Sequence, residues 1–540
     1  MKTTLPFDPF AMAKSASDYA LGLAMRPQDL MQVQLEAARE WGDFWLGAMT
    51  GKAGEAPRDR RFMGAKWQDD AYYRGVRDAY LLASKQLRDM ASLGGGNEQA
   101  QATARLLLDQ FLNAVSPANY AFTNPEVVER TKQTKGANLV QGFANLLEDV
   151  ASGKGVVKRR TDDSVFVKGK TIAATPGDVV FQTKLFQLIQ YKPTTATVAA
   201  EPLLYVPPLV NRYYMIDLTE QQSFVKWLVG EGRTVFVISW VNPGAELKDQ
   251  GVEDYVLAIV AAIEEVTKRT KAAPDLFSFC LGGTLAAIAV AWLAAKGRSK
   301  EVNSATLIGS MVDFSDMRDW SAFVHEGHLG ALEDHLEGQG YIDSVELQRL
   351  FAAMRANDLI WSSVINHYLL DKDAPPSDLL TWFEDGARIP AAFLKSYNHD
   401  LLKDNRLKDP AGFSVAGATV DLAAIKTPML VIALKDDHVS AWEAVYAGAR
   451  HLKAEFVLGG SGHNAGVINP PSRNKHGYWT GSGTLAADPA DWLAKAVKNE
   501  GSWWPWWTRW LSANGSGNEV TARKAVRPIE PAPGSYAMMA

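Results

Sequence analysis

Apolar positions recur at helical spacing through the first 150 residues, for example at 72–82 and 102–108, with few strand signals. This predicts a mainly helical N-terminal domain, residues 1–185. The pattern changes after a polar, glycine-bearing stretch at residues 151–155, where short continuous apolar runs begin to alternate with helical segments. Runs at 202–206, 234–240, 276–279, 305–309, 428–433 and 454–458 are candidate strands. Their alternation with helices predicts an α/β domain with a mainly parallel sheet, residues 186–513. Roughly a hundred residues of helical character separate the fourth run from the fifth, too many for an ordinary crossover. They predict a cap inserted at about 314–427. The tail, 514–540, is rich in Gly, Ser and Pro and reads as disordered.

With 540 residues, 47% hydrophobic and 22% charged, the chain has the composition of a globular protein with large cores. A single cysteine excludes an intramolecular disulfide framework and a Cys-rich metal site, and predicts a reducing, cytoplasmic setting. The net charge of -5 gives no global attraction to nucleic acid or acidic membranes, so no nucleic-acid partner is expected. Residues 1–9 lack the charged and apolar regions of a secretory signal. The longest nearly uncharged run, 281–295, falls short of the roughly twenty residues of a membrane span and reads as a buried helix. His325, His328 and His335 lie in an acidic stretch and read as solvated, so no metal is assigned.

Candidate chemistry begins at the lone cysteine. Cys280 follows the apolar run Leu276-Phe277-Ser278-Phe279 and precedes Leu281-Gly282-Gly283 and a long apolar helix, the pattern of a nucleophile elbow. Taken alone, such a cysteine is usually a small buried hydrophobe. Two further strand ends change the reading. The fifth run leads into Lys435-Asp436-Asp437-His438, and the sixth into Gly459-Gly460-Ser461-Gly462-His463. Nucleophile, acid and histidine, each at a strand end in that order, match the triads of the α/β-hydrolase fold. In this reading His463 and a helix N-terminus favour the Cys280 thiolate, and Asp437 orients His463. His438 would tune Asp437 or serve structurally. An oxyanion hole would use the backbone N–H of Leu281 and a donor from the loop after the first run, with Val210 the candidate. Pro207-Pro208 in that loop is equally consistent with a plain strand terminator.

These residues resemble the polyhydroxyalkanoate synthases, specifically the single-subunit type. The resemblance rests on residues 205–218 (Tyr205-Val206-Pro207-Pro208 through Asp217-Leu218), on Ile238-Ser239-Trp240-Val241-Asn242-Pro243, and on the Cys280 elbow. It extends to residues 355–361, Asp437-His438, residues 461–471 and the tryptophan-rich residues 501–510. Asp59-Arg60-Arg61-Phe62 and Thr123-Asn124-Pro125-Glu126 are weaker matches. The resemblance implies that Cys280 carries the acyl group, His463 is the general base and Asp437 the third catalytic residue. It implies polymerisation of (R)-3-hydroxyacyl-CoA, 3-hydroxybutyryl-CoA foremost, with CoA as leaving group and no cofactor. It also implies an active homodimer on cytoplasmic polyester granules with granule-associated proteins. Trp382 and Asn211 are candidate substrate-access residues. Two departures stand out: Ser278 occupies a position where the family usually has glycine, and Trp382-Phe383-Glu384 replaces a more usual Trp-Asn. A thioesterase or polyester hydrolase with a cysteine nucleophile, and a non-catalytic granule scaffold, are the competing readings. The tryptophans at 503–510 suit helix packing better than direct granule contact.

Overall fold

Helical spacing near the start of the chain is realised as α1 (Pro27–Thr50), α2 (Ala71–Ser92), α3 (Glu98–Ala114), α4 (Pro125–Thr134) and α5 (Ala137–Ala151). The computed structural model describes residues 22, 25–50, 59–94, 98–151, 164–324, 326–354, 356–372 and 375–539. The expectations for residues 1–9, for most of the polar stretch at 151–155, for His325 and for Arg355 fall outside these. Local signals start the helices: Asp70 caps α2, and Asn124 caps α4 with Pro125 in its first turn. The two weak N-terminal motifs are therefore accounted for structurally. Asn124 belongs to the cap, while Asp59 pairs with Arg61 and Phe62 is fully buried against Trp67.

α5 reverses the usual amphipathic arrangement. Its buried positions are Asn138, Gly142, Asn145 and Asp149, while Val140, Phe143, Leu147 and Val150 are exposed. The buried face is satisfied by hydrogen bonds: Asn138 donates to the Leu369 carbonyl, Asn145 to that of His367, and Asp149 accepts from the Tyr368 hydroxyl. Gly142 lets the helix approach closely, since a Cβ there would lie 1.8 Å from the Tyr368 carbonyl oxygen.

Eleven of the strands form one sheet. In chain order they are β1 (Gly177–Gln182), β2 (Phe186–Tyr191), β3 (Leu203–Val206), β4 (Val235–Trp240), β5 (Asp275–Phe279), β6 (Ser304–Ile308), β7 (Met429–Leu434), β8 (Glu455–Gly459), β9 (Tyr478–Thr480), β10 (Val497–Asn499) and β11 (Glu530–Pro531). Their order is β10-β9-β8-β7-β6-β5-β3-β4-β2-β1-β11. From β3 to β8 every pairing is parallel, and β2 runs antiparallel to both β1 and β4. This is the α/β-hydrolase strand order. The inner strands are buried throughout, which is why they read as unbroken apolar runs instead of alternating ones.

Against the sheet lie α6 (Phe224–Gly230), α7 (Val252–Thr270), α8 (Leu281–Ala295), α9 (Trp442–His451) and α10 (Trp504–Asn514). α8 is apolar on every side and buried from Leu281 to Leu293, as its composition predicts. Among the described residues no helix is long and apolar enough to cross a membrane. Trp503, Trp504 and Trp507 are fully buried and Trp510 nearly so, and each indole N–H finds an acceptor. The tryptophan-rich segment is therefore largely core.

Three boundaries differ from expectation. β1 lies inside the segment assigned to the helical N-terminal domain, because the sheet begins at Gly177. The insertion is not one cap: residues 319–331 and 348–376 group with the N-terminal helices in one unit, whereas 332–347 and the residues from 377 onward group with the sheet. The tail is ordered. Glu519–Thr521 pairs with Thr197–Ala199, β11 pairs with β1, and Gly534–Met538 forms helix α11. Edge pairing uses backbone groups, so a tail poor in large apolar residues still finds a place.

Trp504 packs on Phe224 in a tilted pair with 4.3 Å between centroids and donates to the Val467 carbonyl. Trp504→Ala is expected to lower stability by about 3–5 kcal/mol, measured by urea unfolding; a loss near zero would contradict its role in the core.

Candidate active site

Successive strand ends are laced together by hydrogen bonds. The N–H of Cys280, after β5, donates to the Ile308 carbonyl of β6 at 3.0 Å. Gly309, after β6, donates to Ile432 of β7 at 2.9 Å, and Lys435, after β7, donates to Gly459 of β8 at 2.8 Å. Three chain segments far apart in sequence are thereby held at one edge of the sheet.

Cys280 occupies the N-cap of α8 with φ 52° and ψ -129°. For a non-glycine residue this backbone costs of order 1–3 kcal/mol. The surrounding packing holds it. A Cβ on Gly282 would lie 2.5 Å from the Val206 carbonyl oxygen and 2.6 Å from that of Pro207, so glycine alone lets the helix start press against the loop after β3. Ser278, the departure from the usual glycine, sits in regular strand between Val206 and Leu307, fully buried. Its hydroxyl donates to the Thr306 carbonyl at 3.0 Å. The turn begins two residues later, so position 278 needs no glycine conformation, and the hydroxyl has its partner.

The structure chooses between the two aspartates. Asp436 is exposed, whereas the Asp437 carboxylate is fully buried. Asp437 Oδ1 accepts from the N–H groups of Val439 and Ser440, at 2.8 and 2.9 Å, and Oδ2 lies 2.6 Å from His463 Nδ1. His463 is buried, packs on the Phe279 ring at 4.6 Å and interacts electrostatically with Cys280. Burial disfavours its charged form, but the Asp437 and Cys280 charges and their hydrogen bonds outweigh that and raise its pKa to about 10. Cys280, Asp437 and His463 are thus brought together, with His463 between the other two. His438 is exposed.

Leu281 is the first residue of α8, a position whose N–H has no partner within the helix. Val210 is half-buried on the loop after β3, the loop against which Gly282 packs. Pro207 in that loop accepts a hydrogen bond from Trp240 Nε1 at 3.0 Å. The two access candidates hold the same loop. Asn211 is buried and bridges backbone to backbone with Gly386, and the buried Trp382 donates from Nε1 to the Arg212 carbonyl at 2.8 Å. No cluster of three or more metal-ligating side chains occurs among the described residues. His335 lies 3.0 Å from Glu346, and His328 is buried, contrary to its solvated reading.

Several contributors were not apparent in the sequence. Gly309, at φ 55°, passes beneath the pair; a Cβ there would lie 3.4 Å from both Asp437 and His463. The loop after His463 is pinned from above by tryptophans: Trp503 Nε1 donates to Gly466 and Trp504 Nε1 to Val467. Small residues at strand ends are the one sequence signal for Gly309; the tryptophan contacts have no local signal.

Because the His463 pKa is raised above its ordinary 6.5, its pairing contributes stability that is full below about pH 6.5 and is lost as pH rises toward 10. Asp437→Asn removes one of the raising charges. The variant is expected to show a lower His463 titration midpoint by NMR, and a stability deficit relative to wild type that narrows between pH 6.5 and 10. An unmoved midpoint would contradict the pairing.

The family model described as "Poly-beta-hydroxybutyrate polymerase (PhaC) N-terminus" matches residues 58–228. The poly(3-hydroxyalkanoate) polymerase subunit PhaC of Cupriavidus necator is 37% identical over 537 residues, covering 96% of this chain and 90% of that one. The poly(3-hydroxyalkanoate) polymerase of Methylorubrum extorquens is 37% identical over 535 residues, covering 95% and 87%. Among solved structures, the thioesterase domain from the curacin biosynthetic pathway gives a TM-score of 0.32 at 10% identity, over 54% of this chain and 94% of that one. The fold assignment rests on strand order and the elbow, and the wider relationship on identity sustained along almost the whole length: this chain belongs to the poly(3-hydroxyalkanoate) polymerase family.

Proposed function

We propose that this protein polymerises (R)-3-hydroxyacyl-CoA, 3-hydroxybutyryl-CoA foremost, into polyester through an acyl-cysteine at Cys280. The observation that carries the reading is the strained Cys280 elbow, which interacts electrostatically with a buried His463, itself 2.6 Å from Asp437. The scheme starts from a thiolate–imidazolium pair, and the raised His463 pKa supports the imidazolium half of it. The Cys280 sulfur attacks the thioester carbonyl, the carbon–sulfur bond to CoA breaks, and the departing CoA thiolate takes the proton from His463. Leu281 and Val210 N–H groups face the developing oxyanion in this scheme. Acylation discharges Cys280, which removes one of the two charges holding the His463 proton. Neutral His463 then accepts the proton of an incoming hydroxyl as its oxygen attacks the acyl carbonyl. An ester bond forms, the bond to Cys280 breaks, and the ion pair returns. Transfer between thioesters is nearly isoenergetic, and transfer to an alcohol runs downhill. No cofactor takes part.

Granule residence and a cytoplasmic setting belong to the same proposal, as does a homodimer as the active form. The exposed row Val140, Phe143, Leu147 and Val150 on α5 supports contact with an apolar polyester surface.

Cys280→Ala is expected to abolish CoA release from 3-hydroxybutyryl-CoA, followed with a thiol reagent; full activity in that variant would overturn the covalent scheme. Release of free hydroxy acid without polymer by the wild type would instead mark a hydrolase. Phe143→Asp with Leu147→Asp is expected to shift the protein from isolated granules to the supernatant on sedimentation, with CoA release retained.

A further inference from the structure

Arg212 follows Asn211 on the loop after β3, and its side chain is only 3% exposed. Nη1 donates to the Tyr536 carbonyl at 3.2 Å and Nη2 to the Met539 carbonyl at 2.6 Å. Nε lies 3.8 Å from Asp385 Oδ1. Lys168 completes the cluster, donating to the Ala537 carbonyl at 3.1 Å and to Asp385 Oδ2 at 2.9 Å. Tyr214 also donates to Asp385 Oδ2, at 2.7 Å. The three carbonyls belong to the end of α11, where backbone acceptors lack helical partners and cations are favoured.

The tail is itself anchored. The Tyr536 hydroxyl donates to Thr183, its N–H to Gln187 Oε1, and Gln187 Nε2 reaches Glu530 and Ser535. The main chain of Arg212 is held on the opposite side: its N–H donates to Asn211 Oδ1, and its carbonyl accepts from Trp382. The loop carrying Val210 is therefore fixed between the inserted segment at 382–386 and the end of the chain. A buried guanidinium needs its acceptors; without them the loop must move to rehydrate it.

We propose that Arg212 is a positioning residue, and that α11 is the counterpart through which the C-terminus holds the Val210 loop in register with the thioester oxygen. The proposal rests on the acyl-cysteine reading above. It predicts that losing Arg212, or α11, damages transfer from thioesters while leaving the Cys280–His463 pair intact. Alkylation of Cys280 by iodoacetamide tests that pair separately, because substitution at a saturated carbon develops no oxyanion.

The experiment compares full-length wild type with Arg212→Met, Arg212→Lys, a chain ending at residue 533, and the combination of Arg212→Met with that truncation. The readouts are kcat and KM for CoA release from 3-hydroxybutyryl-CoA and the alkylation rate. Arg212→Met and the truncation are each expected to lower kcat roughly 100-fold, the scale of one lost oxyanion donor, with KM and alkylation close to wild type. The combination is expected to be no worse than either alone, and Arg212→Lys, which can reach one carbonyl, to be intermediate. Unchanged kcat in Arg212→Met, additive losses in the combination, or alkylation falling in step with kcat would overturn the proposal. Should Arg212→Met fail to fold, Arg212→Lys decides: wild-type kcat overturns the proposal, and reduced kcat with normal alkylation supports it. Failure of the underlying reading is a separate result, namely wild-type protein that keeps releasing CoA after complete alkylation of Cys280.

Discussion

The arrangement depends on hydrogen bonds that join the ends of neighbouring parallel strands. Cys280 to Ile308, Gly309 to Ile432 and Lys435 to Gly459 each tie a residue just past one strand to the next strand along. A parallel sheet brings all its C-terminal ends to one edge, and this lacing sets their depth relative to one another. It holds Cys280 in its costly backbone, brings Gly309 beneath Asp437 and His463, and starts the turn in which Asp437 is buried. A slip by one residue along β5 would turn the cysteine to the opposite face.

The grouping of Cys280, Asp437 and His463 is legible in the sequence because each carries its own local signal: an apolar run, then small or polar residues, then the side chain. Strands buried on both faces also announce themselves as runs. What escaped the reading is non-local. Arg212 and Met539 are separated by 327 residues, and Trp507 and Thr306 by 201, so no window of sequence contains both partners. The tail departs from the disorder its composition predicts because it pairs with sheet edges, which needs backbone and little apolar surface. The insertion divides between two units, which the sequence does not show because helical periodicity says where a helix is, not which unit it joins. α5 inverts the periodicity rule itself: its polar positions are buried, since hydrogen bonds to residues 367–369 satisfy them.

Electrostatics and packing share the task at His463. Burial alone would keep the imidazole neutral; the buried carboxylate on one side and the sulfur on the other reverse that preference. Ser278 is accommodated within the strand, where its buried hydroxyl donates to the Thr306 carbonyl.

The indoles of Trp503 and Trp504 each reach back 37 residues to hold the segment just beyond His463. A chain emerging from the ribosome would display its cysteine, aspartate and histidine well before these anchors exist. The loop that carries His463 therefore gains these two indole anchors only once residue 504 has been made.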